Sequence, residues 1–147
     1  MIKYQLSKKE FEEIYAKVPR IAVDLIIVEN KKILLTRRSI PPFNGLWHIP
    51  GGGIRHREKV TDAILRVARE ELGVSVKIEK LIGYEEVLFD GPKRHAVALE
   101  FKCKLVGNKK PRPIAQADKC SFFNKLPKEI IPEQRKFLKK NWARIFS

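Results

Sequence analysis

Two adjacent carboxylates, Glu70 and Glu71, close a stretch whose apolar spacing predicts a helix from Glu58 to Leu72, with Gly73 as its C-terminal cap. On a helical wheel, Thr61, Ile64, Leu65, Ala68 and Leu72 fall on one side, expected to pack on a sheet. Ala63, Val67, Glu70 and Glu71 fall on the other. A helix C-terminus already carries about half a negative charge, so acids there lose several tenths of a kcal/mol each unless a cation compensates. Upstream, Pro50-Gly51-Gly52-Gly53 offers a backbone without Cβ atoms, able to bring carbonyl oxygens near those carboxylates and to admit a phosphate. Hard oxygen donors of this kind suit Mg²⁺ or Mn²⁺. On these residues alone, a solvated acidic pair beside a plain turn reads equally well.

A third carboxylate is out of place in another way. Asp24 interrupts the apolar strand Arg20 to Val28, where a charge is costly unless partnered, so it is expected to be functional or ion-paired. The elements around these residues follow from local signals. Ser7-Lys8-Lys9-Glu10 is a capping box opening a short helix to about Lys17. Glu29-Asn30-Lys31-Lys32 turns the first strand into Ile33 to Thr36, forming an antiparallel hairpin. Ser39 to Gly45, with two adjacent prolines, is a loop before a short strand, Leu46 to Ile49. Val74 to Phe89 and His95 to Leu105 are β-rich runs joined by a tight turn at Asp90-Gly91-Pro92, and Cys120 to Phe123 is a last short strand after the loop Gly107 to Asp118. Pro132 starts a closing amphipathic helix spaced by Phe137, Trp142, Ile145 and Phe146. Strands mixed with three helices predict an α/β fold built as an α/β/α sandwich.

With 147 residues, 44% of them hydrophobic, the chain suits one domain with one sizeable core. Its formal charge of +14 favours phosphate-bearing ligands. The basic residues are spread out rather than gathered into one arm, so nucleic acid is compatible as a partner without being favoured. Cys103 and Cys120 lack metal-ligand spacing and are expected to be reduced core thiols. Neither a signal peptide nor a membrane-length apolar run is present, which predicts a cytoplasmic protein with no membrane partner.

Gly52, Glu58, Arg66, Ala68, Glu70, Glu71, Gly73 and Val74 fall in register with the box of the Nudix hydrolases, and the chain resembles that family over about Phe11 to Phe123. The resemblance implies a single Nudix hydrolase domain over 1–147, a mixed central sheet and a Mg²⁺ (or Mn²⁺) cofactor. Val67 stands where the family has the first Glu of its R-E pair, which removes a carboxylate and implies a single metal ion rather than a cluster. With Val23 to Asn30 and Leu46 to Gly52, the chain looks most like the GDP-mannose mannosyl hydrolase branch. Members of that branch hydrolyse GDP-hexoses by water attack at the anomeric carbon, and GDP leaves. Carried over by position, the metal ligands are the Gly51 carbonyl, Glu71 and Gln116, with Glu70 close by. Arg38 meets the diphosphate, Asp24 the sugar, and Gly52 and Gly53 adjoin the substrate. The branch places a histidine base where this chain has Ala117, leaving Asp118 as the expected substitute, with His56 and His95 as further candidates. It also has an arginine where this chain has Gly53. Three functions follow as expectations: hydrolysis of a nucleotide sugar, a diphosphohydrolase attacking phosphorus, or an inactive nucleotide- or RNA-binding module. A homodimer is expected by resemblance alone.

Overall fold

The computed structural model describes residues 6–41, 43–89 and 94–147. Helix α1 (Lys8–Tyr15) opens with the expected capping box, Ser7 Oγ accepting from the Glu10 amide at 3.2 Å while Glu10 reaches back. Strands β1 (Arg20–Glu29) and β2 (Lys32–Arg38) form the expected hairpin, with Asn30 and Lys31 both at positive φ as a tight two-residue connection requires. Strands β3 (Trp47–His48) and β4 (Gly51–Gly53) follow. The glycine run is therefore paired strand rather than free loop: Gly51, Gly52 and Gly53 lie opposite Asp24, Val23 and Ala22.

Helix α2 (Val60–Val67) continues into a π-helical turn, Ala68–Leu72. Gly73 then takes the left-handed conformation at φ 67°, as a C-terminal cap demands. Four of the last carbonyls find donors. Val74 N–H donates to Ala68 O, Gly73 N–H to Arg69 O, Ile114 N–H to Glu71 O at 3.1 Å and Arg112 N–H to Leu72 O at 3.1 Å. The loop before the last strand thus finishes the helix.

Strands β5 (Ser75–Phe89) and β6 (Arg94–Val106) form a long antiparallel pair with register shifts at Ile78/Lys80 and Leu81/Gly83. The turn expected at Asp90-Gly91-Pro92 lies outside the described residues. β6 runs parallel to β1, and β7 (Ala117–Phe123) pairs antiparallel with β2, so the sheet is mixed, with path β3-β2-β1-β6-β5. Helices α3 (Pro132–Lys140), with Pro132 at its start, and α4 (Trp142–Ile145) close the chain as two helices broken near Asn141.

Alternation along β1 divides the core. Val23, Leu25 and Ile27 pack against Ala63, Ile64, Val67, Ala68 and Leu72 on the α2 side, whereas Ile26 joins Ile33, Leu35, Leu138 and Ile145 on the α3–α4 side. The wheel drawn from the sequence needs correcting: Ala63 and Val67 are buried, while Thr61 and Leu65 face outward. The contact stripe runs one residue earlier than expected because the helix also presses on the glycine strand, a Cβ built on Gly52 lying 3.1 Å from Val67. The π turn then widens the helix and brings the carboxylates round to a different azimuth from Val67. Both cysteines are free, and burial pushes the Cys103 thiol up to about 12. Among the described residues no helix is long and apolar enough to cross a membrane.

Candidate active site

Between α1, the glycine strand, the π turn and the loop before β7 opens a cleft of about 1180 Å³. It brings together most of the residues singled out from sequence: Asp24, Arg38, Gly51, Gly52, Gly53, Glu70, Glu71 and Gln116 all line it. Exposed His56 lines it as well. Asp118 and His95 do not. Asp118 forms a bidentate ion pair with Arg37, at 3.0 and 2.8 Å, which holds its carboxyl below the usual range and makes it a poor proton acceptor. His95 lies 3.5 Å from Glu86 on the β5–β6 pair.

The two helix-end carboxylates occupy different environments. Glu70 is held by two guanidiniums, Arg55 at 3.2 Å and Arg66 at 3.0 Å. Glu71 makes no side-chain hydrogen bond or ion pair with any described residue. Burial first, and the neighbouring Glu70 second, push its carboxyl upward, while Arg38 and Arg66 oppose the shift. A carboxylate left in this position, with the Gln116 side chain and the Gly51 backbone on the same cleft wall, is a hard oxygen set that suits Mg²⁺ or Mn²⁺. Glu71 and Gln116 are set against each other by main-chain bonds: Ile114 N–H donates to Glu71 O, and Ser39 N–H to Gln116 O at 2.9 Å.

Arg66 ties this corner together. Its guanidinium donates to Glu58 at 2.7 and 3.0 Å, to the Gly53 carbonyl at 2.8 Å and to Glu70. Helix, preceding loop and glycine strand are thereby locked to one side chain. Gly53 leaves a space that Arg20, from β1, fills: a Cβ there would overlap its guanidinium. Arg20 also stacks 5.0 Å from the Phe11 ring centroid. The cleft therefore holds a cation close to Gly53 after all, supplied by another strand. Nothing in local spacing announced it, because the link is the β1–β4 register.

Gly51 is required by close approach. A side chain there would overlap Asp24 Oδ1 and meet the Val23 carbonyl at 2.6 Å. Asp24 itself is buried, and its carboxyl meets the Glu100 side chain while Arg20 acts on it by charge. Asp24 lies beside Glu100, which is completely buried, and near buried Glu85, the three offering oxygens within 4.8 Å of one another. Burial is the main cause raising all three carboxyls, with mutual repulsion adding to it for Glu85 and Glu100. Sequence reading missed Glu85 and Glu100. Across the cleft, His48 Nδ1 donates to the Ile49 carbonyl at 2.9 Å and Nε2 meets Thr36 Oγ1 at 3.1 Å. Burial pushes that imidazole down to about 4, which keeps it neutral.

Comparison with known proteins bears on the family and the fold. The family profile described as "NUDIX domain" matches residues 18–140. An "ADP-ribose pyrophosphatase" of Methanocaldococcus jannaschii is 34% identical over 119 residues, covering 80% of this chain and 70% of that protein. The "Low-salt glycan biosynthesis protein Agl8" of Haloferax volcanii is 46% identical over 86 residues, 58% of this chain, and the chain spans only 55% of that relative's length. In three dimensions, the crystal structure of a "MutT NUDIX hydrolase" from Burkholderia pseudomallei superposes with a TM-score of 0.76 at 26% identity, covering 84% of this chain and 98% of the other.

Proposed function

Because the chain belongs to the NUDIX domain family and is a Nudix hydrolase domain, we propose that it hydrolyses a nucleoside diphosphate joined to a sugar, releasing the nucleoside diphosphate and the free sugar. The observation that carries this reading is the pair of unlike carboxylates facing one cleft: Glu71 on the helix end, without a hydrogen-bond or ion-pair partner among the described residues, and Asp24 on the central strand. Glu71, Gln116 and the Gly51 carbonyl would hold Mg²⁺ or Mn²⁺, with Glu70 close by. Bound there, the cation supplies charge neutralisation for the departing diphosphate.

The chain's own residues do the rest. Arg38 and Arg20 line the same cleft and orient the diphosphate as fixed positive charges. The glycine strand lets phosphate oxygens approach the backbone. Asp24 faces the sugar, where a carboxylate favours positive charge developing at the anomeric carbon. A relative named for glycan biosynthesis supports a sugar-bearing substrate, and GDP-mannose is the specific compound to try first. Asp118 is not carried into the mechanism, since its ion pair with Arg37 turns it from the cleft.

A second reading, a diphosphohydrolase attacking phosphorus, is supported by the archaeal relative named as an ADP-ribose pyrophosphatase. Turnover of GDP-mannose and of ADP-ribose with Mg²⁺ in isotopically labelled water separates the two. Label in the free sugar supports attack at carbon, and label in a phosphate product overturns it. Glu71→Gln is expected to lower kcat at least 100-fold, which one lost metal-ligand charge accounts for; unchanged turnover would remove the site from consideration.

A further inference from the structure

Behind the cleft wall, the sheet brings three carboxylates to one point. Asp24 on β1 and Glu100 on β6 are direct partners across a parallel pair, so their side chains share a face. Glu100 also lies opposite Gly83, and Glu85, two residues further along β5, projects to the same face on the diagonal. The space beside Gly83 is taken by the Phe137 ring, 3.4 Å from where a Cβ would stand. One oxygen from each carboxylate lies within 4.8 Å of the others.

The group is unfinished. Glu100 is 0% exposed, yet neither of its oxygens meets an N–H or hydroxyl donor among the described residues, and Glu85 Oε2 is also without one; the polar groups facing Glu100 are the Asp24 and Glu85 carboxyls themselves. Buried carboxylate oxygens without donors cost free energy unless something positive reaches them. Of the cations near the group, Arg20 acts on Asp24 by charge, while Lys102 Nζ on β6 is engaged elsewhere, donating to the Ser147 carbonyl at 3.2 Å with Glu79 at 3.9 Å.

We propose that Asp24, Glu85 and Glu100 form a second cation site, built on the sheet rather than on the helix end, that takes one divalent ion. The three oxygens, all within 4.8 Å of one another, converge closely enough for one ion to bridge them, and hard carboxylate donors suit a divalent cation such as Ca²⁺, Mn²⁺ or Mg²⁺. Asp24, Val87 and Ala98 line the cleft, so the ion enters from it. One divalent ion takes the place of the protons that burial and mutual repulsion favour on these carboxyls, and gives the Glu100 oxygens a partner. The site stands whether or not the substrate assigned above is right, since Asp24 gives the ion one oxygen and keeps the other for the cleft.

Calorimetric titration of the purified chain with Ca²⁺, and with Mn²⁺ counted by electron paramagnetic resonance, tests it. The background is Glu71→Gln, which weakens the helix-end corner. In that background we expect one saturable Ca²⁺ or Mn²⁺ per chain, and a Tm rise of about 8 °C at a hundredfold excess of Ca²⁺ over Kd. Adding Glu100→Gln, or separately Glu85→Gln, is expected to weaken binding at least tenfold and abolish the Tm rise. Far-UV circular dichroism verifies that each variant is folded; the isosteric amide removes charge without volume. A folded Glu71→Gln chain with no saturable ion, its carboxylates sharing protons instead, overturns the proposal. So does binding that Glu100→Gln leaves unchanged.

Discussion

Replacing Arg66 by alanine removes four hydrogen bonds at once: two to Glu58, one to the Gly53 carbonyl and one to Glu70. The Arg66 and Glu58 side chains are 13% and 14% exposed, so water replaces little of what is lost. Breaking a fully buried ion pair costs about 3–5 kcal/mol, and with this residual exposure the lower end, about 3 kcal/mol, applies. For a chain of this size that lowers Tm by about 9 °C. The pH dependence is specific. Arg66 is the main cause holding the Glu58 carboxyl below its unfolded value of 4.5. A depressed carboxylate contributes stability that is fully present above the unfolded pKa and is lost as pH falls through the folded one. The gap between wild type and Arg66→Ala should therefore be full at pH 7 and shrink below pH about 4.5. Urea titrations of wild type, Arg66→Ala, Glu58→Gln and the double variant, at neutral and acid pH, measure both the cost and the coupling energy. A cost under about 1 kcal/mol at neutral pH, or a gap indifferent to acid, would refute the role of Arg66 as the anchor of this corner.

His48 is expected to make the fold acid-sensitive. Its folded pKa of about 4 lies below the unfolded 6.5, so the unfolded chain binds the extra proton between them and stability drops as pH falls through that window, by at most about 3 kcal/mol; His48→Asn should flatten that part of the urea midpoint profile, and an unchanged profile would deny the shift. Gly51→Ala is expected to destabilise by several kcal/mol, since the new methyl meets a backbone oxygen as well as Asp24 and strands β1 and β4 must separate; a thermal melt within 2 °C of wild type, about the scale of well under 1 kcal/mol, would contradict it.

How much of this was legible in advance depended on the range of the interaction. The capping box at Ser7, the turn at Asn30-Lys31, the stop at Gly73 and the start at Pro132 are written within a few residues, and each appears where the sequence places it. The facing of the helix was misread because a regular wheel cannot anticipate a π turn or pressure from the glycine strand. Asp24 was conspicuous by its polarity, but its companions were not. Glu85 and Glu100 sit in strands where a charge facing water is ordinary, and only the parallel pairing of β1 with β6, together with the shifts in β5, turns them inward. Nearness in sequence to Ala117, where the base is expected, singles out Asp118, yet successive residues of a strand face opposite ways: Ala117 lines the cleft, and Asp118 pairs with Arg37.

The loop that carries Gln116 donates its own amides to the final carbonyls of the helix that carries Glu71. Two oxygen donors some 45 positions apart in the chain are thereby gauged by backbone N–H groups, which every residue except proline possesses. Side chains along that loop are free to be exchanged, and substrate preference with them, while the span available to an ion stays fixed. Proline at Arg112 or Ile114 is the exception, because it would delete a rung of the gauge itself.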